Sequence, residues 1–204
     1  MTHTLNRKGL SEERPGDEIV VLFMVQQHER EQKIDGMNPI VETVLKYKPD
    51  NMIGSSAGMT EEQMRTRLGR GGIITAVFNN QEDVKKLVAE VKEKKLGISL
   101  VLSGLFSDVR EICRASELKE HTFNISLGIF GKTEKLPDEK TLEITTQCGH
   151  ALISPYLVED IVKKMKRGKM TAKEGAELLI RPCVCGIGNP QRIEKLLDEM
   201  ASGQ

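Results

Sequence analysis

Hydrophobic positions along the chain fall into three kinds of pattern. Unbroken apolar runs occur at 19–25 (IVVLFMV), 73–78 (IITAVF) and 98–102 (ISLVL), each bounded by charged or turn-forming residues. Short β-branched runs of this kind predict strands buried on both faces. Between and after them, apolar residues recur at helical spacing. Ile40, Val41, Val44 and Leu45 do so over 39–47; Val84, Leu87, Val88 and Val91 follow Asn80, which supplies an N-cap. A further helix is expected over 107–118, and Thr60 with Gln63 forms the capping-box pair that opens a short one ending near Gly69. Strand–helix–strand–helix order over 73–118 predicts parallel pairing through right-handed crossovers.

The third pattern is strict alternation. Phe123, Ile125, Leu127 and Ile129 interleave with Thr122, Asn124, Ser126 and Gly128, which predicts a half-exposed strand at a sheet edge or in an antiparallel pair. A turn at Pro137-Asp138 and a last short strand at 142–146 are expected to follow. Beyond it the periodicity is helical: Ser154-Pro155, Thr171 with Glu174, and Asn189-Pro190 each open a helix. The expected fold is α/β, with a mixed, mainly parallel sheet, helices on both faces and a helical C-terminal third. Residues 1–16 read as an extended N-terminal arm, and 17–204 as a single domain with a helical subregion at 154–204.

Composition changes this picture little but limits the function. Thirty basic residues balance thirty acidic ones, so no excess of positive charge favours nucleic acid or an anionic membrane. The basic cluster at 163–169 ends a helix, where positive charge opposes the dipole, and lacks interleaved aromatics. The longest apolar run is too short to span a bilayer, and the first 17 residues lack the apolar core of a secretory signal. A cytoplasmic protein with reduced thiols is expected, so the four cysteines read as core, metal-binding or reactive residues.

Three of those cysteines lie in two short Gly-containing motifs, Gln147-Cys148-Gly149-His150 and Cys183-Val184-Cys185-Gly186. Cys148, His150, Cys183 and Cys185 together could supply three thiolates and an imidazole, a ligand set that suits zinc or an iron–sulfur cluster. Neither motif has the C-x-x-C spacing of a zinc knuckle. The same residues could be small buried hydrophobes, or one thiol could be a nucleophile. Cys113, on the apolar side of its helix with Val109 and Ile112, reads as core.

Ligands of open α/β sheets bind beyond the carboxyl ends of the strands. Gln27 and His28 follow the first strand, Asn79 the second, Ser103 the third, and Cys148 with His150 the last. A pocket there would use His28 and His150 as acid–base groups and Gln27, Asn79 and Ser103 as ligand contacts. Asn189 and Arg192, at the start of the last helix, could hold an anion. The function expected is that of a metal-dependent cytosolic enzyme acting on a small polar or anionic metabolite. A metal- or cofactor-binding accessory or sensor protein, and a cysteine-nucleophile enzyme without metal, are the alternatives.

Overall fold

The structure is a computed structural model that describes residues 4–13 and 16–203. Of the expected N-terminal arm, residues 1–3, 14 and 15 lie outside the described residues. The chain forms two compact units. A sheet unit comprises residues 10–122 and 184–187, and a helical unit comprises 1–9, 123–183 and 188–204.

In the sheet unit, β1 (Ile19–Met24) is followed by a 3-10 turn and the short α1 (Arg30–Lys33), then α2 (Met37–Lys46) and the two-residue β2 (Asn51–Met52). Next come α3 (Glu61–Leu68), β3 (Ile73–Phe78), α4 (Gln81–Glu93), β4 (Ser99–Ser103) and α5 (Phe106–Ala115). The Thr60 capping box and the Asn80 N-cap form as their sequences predict.

The four strands are ordered β2-β3-β1-β4, and every pairing is antiparallel. This corrects the expectation of a mainly parallel sheet. The helical connection from β3 to β4 skips one position, and β1 fills the gap, antiparallel to both neighbours. Sequence order shows that two strands are joined through a helix but not whether a third lies between them. The most uniformly apolar run is the one with two long neighbours. On one sheet face Ile19, Val21 and Phe23 pack with Ile74, Ala76 and Phe78 under Ile40, Val44, Val84 and Leu87 of α2 and α4.

Val20, Leu22, Thr75 and Val77 are buried on the opposite face. The segment 184–187 lies there: the Thr75 hydroxyl donates to the carbonyl of Cys185, and Gly186 sits against the backbone of Met52. A Cβ on Gly186 would come within 1.9 Å of the Met52 carbonyl carbon, and its φ of +63° is one that only glycine adopts without strain.

The helical unit contains α6 (Glu139–Thr145), α7 (Pro155–Lys166), α8 (Ala172–Ile180) and α9 (Pro190–Ser202). Two expected strands are absent here. Residues 142–146 belong largely to α6, because Asp138 caps a helix start: its carboxylate accepts from the Thr141 amide at 3.0 Å and the Thr141 hydroxyl at 2.7 Å. That cap outweighs the β-branched character of Ile144, Thr145 and Thr146. Residues 122–129 join no sheet. α7, α8 and α9 pack on one another, and Val158, Ile161, Leu179, Ile193 and Leu197 are buried in these helices. Among the described residues no helix is long and apolar enough to cross a membrane.

Two outcomes follow. Gly186→Ala should destabilise the protein by roughly 3 kcal/mol, because the positive φ and the backbone clash act together; urea unfolding measures it. Glu90, hydrogen-bonded by Lys46 at 2.6 Å, Tyr47 at 3.0 Å and paired with Lys94, has its carboxyl lowered to about 2 from 4.5, chiefly by Lys46. A depressed acid stabilises the fold above its ordinary pKa and loses that contribution as pH falls through the folded value. Thermal melts of Glu90→Gln should therefore lie below the parent at neutral pH, with the gap closing between pH 4.5 and about 2.

Candidate functional site: a buried thiol pair

The residues expected at one sheet edge lie at two. β1 runs against β3 and β4, so Met24 is opposite Ile73 and Ser99, whereas Ile19 is opposite Phe78 and Val20 opposite Ser103. Gln27 and His28, beyond Met24, are exposed on the 3-10 turn Gln27–Glu29. Asn79 and Ser103 stand at the other end of the strands, roughly 17–20 Å away at ~3.4 Å per residue. The backbone N–H of Asn79 donates to the Asp50 carboxylate at 2.7 Å, tying β3 to the approach to β2. Burial pushes the Asp50 carboxyl up. A pocket shared by Gln27, His28, Asn79 and Ser103 is not formed, because the argument for it required parallel strands.

Within the helical unit, two loops do meet. Cys148 follows α6, not a strand as expected, in a tight turn: its N–H donates to Thr145 at 3.3 Å, and Ala151 donates to its carbonyl at 2.9 Å. Cys183 lies three residues beyond α8, its N–H donating to the Ile180 carbonyl at 2.8 Å. Both side chains are buried, and their thiols are hydrogen-bonded to each other. Backbone N–H groups surround the sulfurs. Those of His150 and Leu152 point to Cys148, and that of Gly188 donates to Cys183 at 3.3 Å.

Gln147 holds the two loops together. Wholly buried, it accepts the Asn189 N–H at 2.9 Å on its side-chain oxygen and donates its amide to the Glu143 carbonyl at 3.3 Å. Its own carbonyl accepts from Arg7 at 2.9 Å, and Lys8 donates to the neighbouring Thr146 hydroxyl at 3.0 Å. Part of the expected arm is thus bonded to this junction. A neutral polar residue between a helix end and a cysteine gives no periodic signal, so the sequence alone marks no role for Gln147.

The anion-binding reading of Asn189 and Arg192 meets a different arrangement. Asn189 is the N-cap of α9, its side-chain oxygen accepting the Arg192 amide at 3.1 Å. The Arg192 guanidinium donates to the Lys8 carbonyl and lies 3.6 Å from the Glu143 carboxylate. His150 is exposed in the Cys148 loop. Cys185 belongs to the sheet unit. Among the described residues no three His, Cys, Asp or Glu side chains converge as a metal site, so Cys148 and Cys183 form a pair and not a complete ligand set. Cys113 is buried on α5, and burial raises its thiol.

The hydrogen bond that the Cys148 thiol donates to the Cys183 sulfur, reinforced by burial, pushes the Cys148 thiol far above its ordinary range, against the opposing pull of the Leu152 and His150 amides. Such a thiol is protonated at neutral pH and is a poor nucleophile. It loses its proton when a cation or an oxidant takes the charge.

Comparison with protein-family models, curated proteins and solved structures finds no match.

This geometry sets an order of reactivity. In the metal-free, reduced protein, iodoacetamide at pH 8 should label the partly exposed Cys185 well before Cys148 and Cys183, as peptide mapping would show. Gln147→Ala leaves the buried Asn189 N–H without its acceptor, should cost about 1–3 kcal/mol, and should raise the labelling rate of both buried thiols.

Proposed function

We propose that this chain is a cytoplasmic thiolate metalloprotein in which Cys148 and Cys183 are the first two ligands of a zinc ion or an iron–sulfur cluster. One observation carries the reading: two buried thiols touch, and backbone N–H groups are directed at both sulfurs. Hydrogen bonds to sulfur stabilise the thiolate form and tune the metal bound to it. The protons that hold the pair neutral leave when a cation binds, so affinity rises with pH. His150, two residues from Cys148 and exposed, is the candidate for a third position in the same loop. An enzymatic role on a small polar or anionic metabolite rests on this centre alone, with His150 as its acid–base group only where another ligand takes that third position, since the sheet-edge residues do not converge.

The thiol–thiol contact also favours a second reading, a redox dithiol. Oxidised glutathione would take two electrons and two protons from the pair, leaving a Cys148–Cys183 disulfide and two molecules of glutathione. A cysteine nucleophile fits less well, because the contact with Cys183 holds Cys148 protonated.

Elemental analysis of protein purified without oxygen separates the readings. The metal reading expects about one zinc or one cluster per chain, lost in Cys148→Ser and Cys183→Ser and kept in Cys113→Ser. A folded, metal-free protein that takes up neither zinc nor iron, yet forms the disulfide with a defined midpoint potential, would leave the dithiol reading in its place.

A further inference from the structure

Residues 6–9 belong to the helical unit and lie outside every helix and strand. Polar contacts hold them there. The Arg7 guanidinium donates to the Gln147 carbonyl at 2.9 Å, and the Lys8 N–H donates to the Thr146 hydroxyl at 3.0 Å. The Lys8 carbonyl accepts from Arg192, and the Ser126 hydroxyl donates to the Asn6 side-chain oxygen. Gly9 passes close to α6: a Cβ on it would stand 1.9 Å from a Glu143 carboxylate oxygen and 2.7 Å from an Arg192 nitrogen, and its φ is +77°. The contacts of Arg7 and Lys8 end on the two residues immediately before Cys148, and the thiols of Cys148 and Cys183 are both buried.

We infer that residues 6–9 form a strap that gates the thiol pair. Seated, it holds the Cys148 turn closed; lifted, it lets a metal ion or a small oxidant reach Cys148 and Cys183. The inference rests on the reading of that pair as the functional centre.

With both sulfurs buried, a ligand enters only when part of their surroundings moves. The Cys148 loop is itself anchored by the buried Ile153, and Gln147 beside it is wholly buried. The strap is different. None of Asn6, Arg7, Lys8 and Gly9 carries an apolar side chain, so water replaces most of the hydrogen bonds that are lost when it lifts. Segments held in this way open locally at a free energy well below that of global unfolding. The turn next to it also stores strain. Ala151, whose N–H closes the turn on the Cys148 carbonyl, has φ +55°, which is unfavourable for a residue with a Cβ. Once the bonds to Thr146 and Gln147 are gone, that strain favours opening.

Alkylation of the full, reduced, metal-free chain with iodoacetamide, followed by peptide mapping, tests the inference. Gly9→Val strains the backbone and displaces the Glu143 carboxylate, so it should lift the strap and raise the labelling rates of Cys148 and Cys183 about tenfold. Arg7→Ala should raise them in the same direction, and Arg7→Lys, which keeps a cationic donor, should raise them less. Cys113 lies in the sheet unit and is the control for general loosening; its rate should not change. If a thermal melt shows that Gly9→Val does not fold, Arg7→Ala combined with Thr146→Val removes the two bonds beside Cys148 and carries the same expectation. Unchanged rates at Cys148 and Cys183 in a folded variant, or rates that rise equally at Cys113, overturn the inference. A chain that binds no metal and forms no disulfide, yet shows the rate increase, would remove the reading of the centre and keep the strap, so the two failures are told apart.

Discussion

A buried amide must find its hydrogen bonds inside the protein, and Gln147 finds them by joining loops whose bonded residues are 42 apart in sequence. Its side-chain oxygen takes the N–H of Asn189, at the start of α9, while its amide remains bonded to α6. An unsatisfied group at either end would cost about 1–3 kcal/mol, so the loops are held at fixed spacing. That spacing is what brings Cys148 and Cys183 into contact. The N-terminal residues Arg7 and Lys8 bond to the same short stretch, which makes the region around Gln147 the organising point of the helical unit.

The sheet unit depends on a different close approach. Thr75 and Met52 receive the segment 184–187 on a face that would otherwise expose buried strand residues, and Gly186 is the residue without a side chain at the narrowest point. The second glycine-containing cysteine motif therefore serves two structural purposes. Its first cysteine completes the thiol pair, and its glycine lets the following backbone lie against β2. The freedom to bend that made this motif look like a ligand loop is used, at Gly186, for backbone packing.

Much of the local structure was legible in the sequence. The three apolar runs are strands, the capping box at Thr60 and the caps at Asn80 and Asn189 form, and the C-terminal third is helical. Strand direction was not legible, because a helix between β3 and β4 is equally compatible with adjacent strands and with strands that admit β1 between them. The error propagated: once the strands alternate in direction, His28 and Asn79 belong to opposite ends of the sheet. The run at 142–146 has the composition of a strand but is helical, because a single cap at Asp138 outweighs three β-branched residues. Of the candidate site, the partnership of Cys148 with Cys183 was accessible from residue type and loop position, whereas Gln147 was not, since its role exists only in three dimensions.

Both proposals rest on placements that the sequence alone suggested differently. The thiol pair, expected beyond a strand, follows a helix, and residues 6–9, expected in an extended arm, are bonded beside it. The most direct test of the central claim is disulfide mapping of the native, reduced, metal-free chain after brief treatment with a thiol oxidant such as diamide. The account predicts one intramolecular product, a peptide pair joining Cys148 to Cys183 and lighter by two hydrogens, with Cys113 still reduced. A Cys183–Cys185 link, or a Cys148 that stays reduced while Cys183 pairs elsewhere, would contradict it.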